Sequence, residues 1–122
     1  MFTGEYREKF KDGKVRFPFD KERLKGWYCY LLEYDGGDDR FATIAENDGE
    51  CLDGDVKIAG RLPLVFDGDM MVLDSAIVNH ISLEGGTVVF CGTGKFIDIM
   101  SEDEFKRSLE FMNVGDMLNN LF

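Results

Sequence analysis

This chain of 122 residues predicts a β-rich α+β fold built from one small unit used twice. Three observations carry that expectation. Residues Ser75 to Glu104 read as a short helix, a strand, a glycine turn, a second strand and the start of another helix. A cruder version of the same unit runs from Pro18 to Glu46. A turn of the same chemistry precedes each unit, Asp12-Gly13 in one and Asp67-Gly68-Asp69 in the other. The length fits one domain, or two half-domains sharing a core.

In chain order, Phe2 to Phe10 is a starting strand, and Asp12-Gly13 turns the chain. Lys14 to Phe19 alternates, with Val15, Phe17 and Phe19 on one face and Lys14 and Arg16 on the other, as in a half-buried strand. Pro18 closes it, and Asp20 caps a short helix ended by Gly26. The aromatic and apolar run Trp27 to Tyr34 is a strand, Asp35 to Asp39 a turn, and Arg40 to Ala45 the returning strand. Glu46 to Gly54 is acidic and glycine-bearing, hence a linker. Val56 to Phe66 is a strand region interrupted by Pro63, and Met70 to Leu73 is a further strand. Asp74 or Ser75 caps a helix to about Ile81. Thr87 to Cys91 and Lys95 to Met100 form a hairpin around Gly92-Thr93-Gly94. Ser101 and Glu104 make a capping box, followed by Phe105, Leu109 and Met112 at helical spacing and a short apolar tail.

Composition narrows the function. No run approaches the length of a membrane span, and the charged N-terminus lacks a secretory pattern, so the expectation is a cytoplasmic protein. Cys29, Cys51 and Cys91 are odd in number and unpaired in spacing, and His80 is the only histidine, which argues against a structural zinc site. The net charge of −10 argues against a uniformly basic nucleic-acid binder. Its distribution is uneven, however. Residues 1–25 hold eight basic and five acidic side chains, whereas the rest hold six basic and nineteen acidic. The cationic charge is gathered at one end.

No catalytic constellation is evident. Gly92-Thr93-Gly94-Lys95 resembles a fragment of a phosphate loop, but a strand follows where a helix is required. The acidic residues Asp48, Glu50, Asp53 and Asp55 lack the fixed spacing of a calcium loop. His80 has no recognisable nucleophile partner. The feature that implies a partner is the basic strand and turn of Lys11, Lys14 and Arg16. Alternation puts Lys14 and Arg16 on one face about 7 Å apart, near the spacing of successive phosphates on a DNA strand. A solvated outer sheet face is the competing explanation.

The opening Met1-Phe2-x-Gly4-Glu5-Tyr6, the turn, strand and proline to Pro18, and the stretch from Leu73 to Phe105 together resemble the MraZ proteins. These are double-module members of the AbrB/SpoVT-like, swapped-hairpin class of bacterial transcriptional regulators. The match covers roughly residues 2–25 and 64–110, and is poor over 41–63. It implies two tandem βαββ modules forming one pseudo-symmetric domain: a first module over 1–50, a linker over 51–63, a second module over 64–112 and a tail over 113–122. It also implies a cytoplasmic DNA-binding protein that assembles into homo-oligomeric rings on repeated promoter sites ahead of the division and cell-wall gene cluster. Family contacts lie in a Gly-Arg turn before each module's strand and proline. Here the first module has Gly13-Lys14, with Arg16 near and Pro18 in place. The second has Asp69-Met70 in the turn and Asp74 at the proline, so DNA contact is not carried onto it. The expected DNA-binding residues are therefore Arg7, Lys9, Lys11, Gly13, Lys14 and Arg16, with no catalytic residue, cofactor, metal, membrane or small-molecule substrate. The alternative is an oligomeric protein-interaction module that has lost DNA binding.

Overall fold

The computed structural model describes residues 2–34, 40–46, 56–83 and 86–107. Within them, nine strands join edge to edge in one antiparallel, curled sheet, a half-barrel. The first half supplies β1 (Phe2–Lys11), β2 (Lys14–Arg16), a 3-10 turn (Lys21–Leu24), β3 (Trp27–Tyr34) and β4 (Arg40–Glu46). The second supplies β5 (Val56–Pro63), β6 (Phe66–Asp67), β7 (Met70–Val72), α1 (Ser75–His80), β8 (Thr87–Gly94) and β9 (Ile97–Ser101), followed by helical residues 102–107, here α2. The order across the sheet is β5-β3-β4-β9-β8-β1-β2-β7-β6. Long-range pairings dominate it: β1 lies against β8, β3 against β5, β2 against β7 and β4 against β9.

Local chemistry explains the reversals. Asp12 (φ 54°) and Gly13 (φ 78°) are both left-handed, the pair of conformations a two-residue I′ hairpin needs. Helix starts are capped where the sequence predicts. Asp20 accepts from the Glu22 amide at 3.1 Å, Asp74 Oδ1 from the Ala76 amide at 2.9 Å, and Ser101 Oγ from the Glu104 amide at 3.2 Å. Asp74 thus serves as the N-cap of α1.

The inner face of the sheet buries Val15, Met71, Val88, Phe90, Ile44, Ile97 and Ile99. Phe17 anchors that core through edge-on contacts with Phe19, Phe66 and Phe90. Strand alternation sends Tyr30, Leu32 and Ala45 to the opposite face, where Tyr28, Phe41 and Phe96 pack on them.

Several boundaries differ from expectation. The β8–β9 hairpin does not turn at Gly92-Thr93-Gly94; those residues continue β8 and pair with Phe2, Thr3 and Gly4 of β1. The reversal is centred on Gly94-Lys95 at the end of β8, where Thr93 N–H donates to the Phe96 carbonyl at 2.9 Å, because the long β1 offers partners that local sequence does not reveal. Gly92 sits so close to β1 that a Cβ there would lie 2.5 Å from the Phe2 carbonyl carbon. β2 ends at Arg16, and Phe17 and Phe19 leave the strand to fill the core edge. Pro63 ends β5, with Leu64 and Val65 as the break before β6. Residues 56–63, within the stretch read from local pattern as a strand region, form β5 and pair with β3. The expected turn at 35–39, the acidic stretch 47–55 with Cys51, and the positions of Leu109, Met112 and the tail lie outside the described residues.

Candidate nucleic-acid interface

Strand periodicity and cross-strand register decide where the basic side chains point. Along β1, Thr3, Glu5, Arg7, Lys9 and Lys11 share one face. Lys11 is opposite Lys14 across the β1–β2 hairpin, so Lys14 and Arg16 fall on that same face. The opposite face carries Phe10 and Val15, which point to the core. Arg7, Lys9, Lys11, Lys14 and Arg16 are therefore brought to one face, with Gly13 at its turn. Arg7, Lys9, Lys11 and Arg16 are exposed and Lys14 is half-buried. The face continues through neutral neighbours: Val89 and Thr87 on β8, Val72 and Met70 on β7.

Two of these cations are engaged by carboxylates from the second half. Lys14 Nζ donates to and ion-pairs with Asp67 Oδ2. Asp67 is opposite Met70, and Met70 is opposite Arg16, so Asp67 lies in line with Arg16 and meets Lys14, two residues back on β2, along the diagonal. The Lys14 ammonium holds the Asp67 carboxyl below its ordinary value, first through the hydrogen bond and then through its charge. Arg7 Nε lies 3.4 Å from Glu102, which also pairs with Lys106 at 3.4 Å. The Arg7 guanidinium sits 5.1 Å from the centroid of the Phe105 ring. Arg7 thus ties β1 to α2 as well as adding charge. These exposed pairs hold weakly and yield to salt or a competing anion. Lys9, Lys11 and Arg16 form no ion pair with another described residue.

Asp67 and Glu102 are the residues that sequence reasoning does not supply. Neither is signalled as a partner by its neighbours in sequence: Asp67 meets Lys14 through strand pairing across the two halves, and Glu102 meets Arg7 because α2 lies beside β1. Elsewhere, burial pushes the Cys29 thiol up to about 12. Burial first, then the charges of Glu5 and Asp98, push Cys91 up to about 11. Both are poor nucleophiles at neutral pH. His80 Nε2 lies 2.8 Å from the Leu32 carbonyl oxygen, an acceptor that calls for a proton on that nitrogen. Gly94 and Lys95, from the phosphate-loop fragment, are at the end of β8 and in the bend after it, respectively. Among the described residues no His, Cys, Asp and Glu side chains group as metal ligands. No helix among them is long and apolar enough to cross a membrane.

Comparison with protein-family models found no match, and comparison with curated proteins found none either.

Proposed function

We propose that this protein is a DNA-binding transcriptional regulator of MraZ type that contacts DNA through the β1–β2 face. The observation that carries the reading is the gathering of Arg7, Lys9, Lys11, Lys14 and Arg16 on one sheet face in a chain of net charge −10. Side chains two apart on a strand repeat at about 7 Å, which suits successive phosphates. One copy offers few contacts. A homo-oligomer presenting several copies reaches the roughly six to ten phosphates that support useful affinity at physiological salt. The mechanism is shared occupancy of a promoter region, with no catalytic step and no cofactor. Lysine at position 14 neutralises phosphate but lacks the two-pronged reach of arginine to a guanine edge.

Strand pairing supports the finer fold reading, two AbrB-like modules with exchanged hairpins about a pseudo-twofold axis. Exchange β1 with β5 and β6 together, β2 with β7, β3 with β8, and β4 with β9. The pairing β1·β8 becomes β5·β3, β1·β2 becomes β6·β7, and β2·β7 and β4·β9 return to themselves. Two backbone hydrogen bonds exchange as well: Phe17 N–H to Asp69 O at 3.1 Å, and Leu73 N–H to Gly13 O at 2.9 Å. Under this exchange the second module begins with β5, at residue 56 rather than 64.

The ion pairs Lys14–Asp67 and Arg7–Glu102 favour a second reading, an oligomeric protein-interaction module in which the second half has neutralised the old DNA face. Binding to DNA from upstream of the protein's own gene separates the two. The regulator binds it, and a Lys9→Ala/Lys11→Ala/Arg16→Ala variant loses most of that affinity while keeping its fold. Absence of binding by the intact oligomer at low salt would leave the interaction module.

A further inference from the structure

The two connections that lead from the short strands β2 and β7 to the long strands β3 and β8 are unequal, and a groove lies beside the shorter one. In the second half, residues 73–86 carry α1, which buries Ile77, with Ile81, Val78 and Leu83 also packed on the core. In the first half, the shorter connection 17–26 carries the 3-10 turn, which buries Leu24 alone. Beside that turn lies an open groove of about 430 Å³. Trp27 and Phe66, both packed on the main core, give it an aromatic lining, and Leu64 adds an aliphatic side; Tyr28 borders it from the opposite sheet face, with the Arg61 guanidinium 4.6 Å from its ring centroid. Lys21 and Lys25 stand at its edge, with Glu22 as the accompanying carboxylate.

The two ammonium groups remain open to an anion. Lys21 Nζ donates to the Gly68 carbonyl at 2.6 Å and lies 5.9 Å from the Phe66 ring centroid, which uses one of its three N–H groups. Lys25 Nζ is 3.4 Å from Glu22, in an i,i+3 pair whose side chains are 84% and 66% exposed. Such a pair is readily exchanged for another anion. The lining is mixed, apolar side chains beside Lys21, Glu22 and Lys25, and the volume falls within the usual range of a small-molecule site.

We propose that this groove binds a small aromatic carboxylate, its ring against Trp27 and Phe66 and its carboxylate on Lys21 and Lys25. Lys14 of the β1–β2 face does not line this groove, though Lys21 bonds Gly68 next to the Asp67 that holds Lys14, and the proposal does not depend on DNA binding. Trp27 is the only tryptophan in the chain, so its emission reports occupancy directly. Phenylacetate is the probe, with 2-phenylethanol as its uncharged counterpart. A fragment of this size binds with a dissociation constant on the order of 1 mM. The expected result is a saturable change in Trp27 emission with phenylacetate and a much smaller one with 2-phenylethanol. In a Lys21→Gln/Lys25→Gln variant the phenylacetate affinity falls roughly tenfold or more. Lys25→Gln alone, which breaks no bond to the backbone, weakens phenylacetate binding in the same direction and serves if the double variant does not fold. No saturable change with phenylacetate, equal affinity for the neutral alcohol, or full affinity in a folded lysine variant would each overturn the proposal.

Discussion

Gly92 and Gly13 are glycines for different physical reasons, and substitution separates them. A Cβ on Gly92 would strike the backbone of Phe2 and Thr3 at 2.5 Å, where strands β8 and β1 cannot both stay in place. Gly13 has open space around its Cβ position, and only its φ of 78° is unfavourable for other residues. Urea unfolding should therefore show Gly92→Ala costing about 3 kcal/mol and Gly13→Ala about 1 kcal/mol. Equal costs would contradict the register of β1 on β8. A second residue-scale case is Asp98, which accepts from the Thr43 hydroxyl at the β4–β9 pairing. Burial raises its native pKa above the ordinary 3.8, and the Thr43 hydrogen bond only partly offsets this. A carboxyl with a raised native pKa favours the folded state most when protonated. Its contribution is fully present below 3.8 and is lost as pH rises through the native value. Asp98→Asn should flatten that part of the stability-versus-pH curve, and a curve parallel to the parent would refute the assignment.

At the scale of elements, caps and turns are legible because each is decided by residues a few positions apart. Asp20, Asp74 and Ser101 are all readable as caps, and Asp12-Gly13 as a hairpin turn. Removing one cap tests its share: Asp74→Ala should lower stability by about 1 kcal/mol in thermal or urea unfolding, with no loss if α1 is held only by Ile77. Strand limits are less legible, because partners set them. The glycines of Gly92-Thr93-Gly94 read as a turn by composition, and β1 lying alongside, with β9 also paired to Gly92, makes them strand. Phe17 and Phe19 continue the alternation of β2 in sequence, yet the aromatic core draws them out of the sheet. The basic half of the candidate site is legible from alternation along β1 and β2. Its counter-ions are not, since Asp67 reaches Lys14 through the pairing of β2 with β7.

Across the whole molecule, the two halves complete each other's sheet. β1 has its long partner in β8, and β3 has β5. A fragment of residues 1–50 lacks both partners and should be unfolded by circular dichroism, regaining structure when the remainder of the chain is added. A fragment that melts cooperatively alone would contradict the interlocked account. The charge pattern belongs to this scale too, because one cationic face on an acidic molecule directs polyanions to a single side. Salt dependence of DNA binding measures that claim most directly. The slope of log affinity against log salt reports phosphates neutralised, at about 0.9 per contact. The proposed site predicts a steep slope for the parent, shallower by roughly two to three per bound protomer in Lys9→Ala/Lys11→Ala/Arg16→Ala. An unchanged slope in that folded variant, or no binding at low salt, would contradict a DNA-binding role for the β1–β2 face.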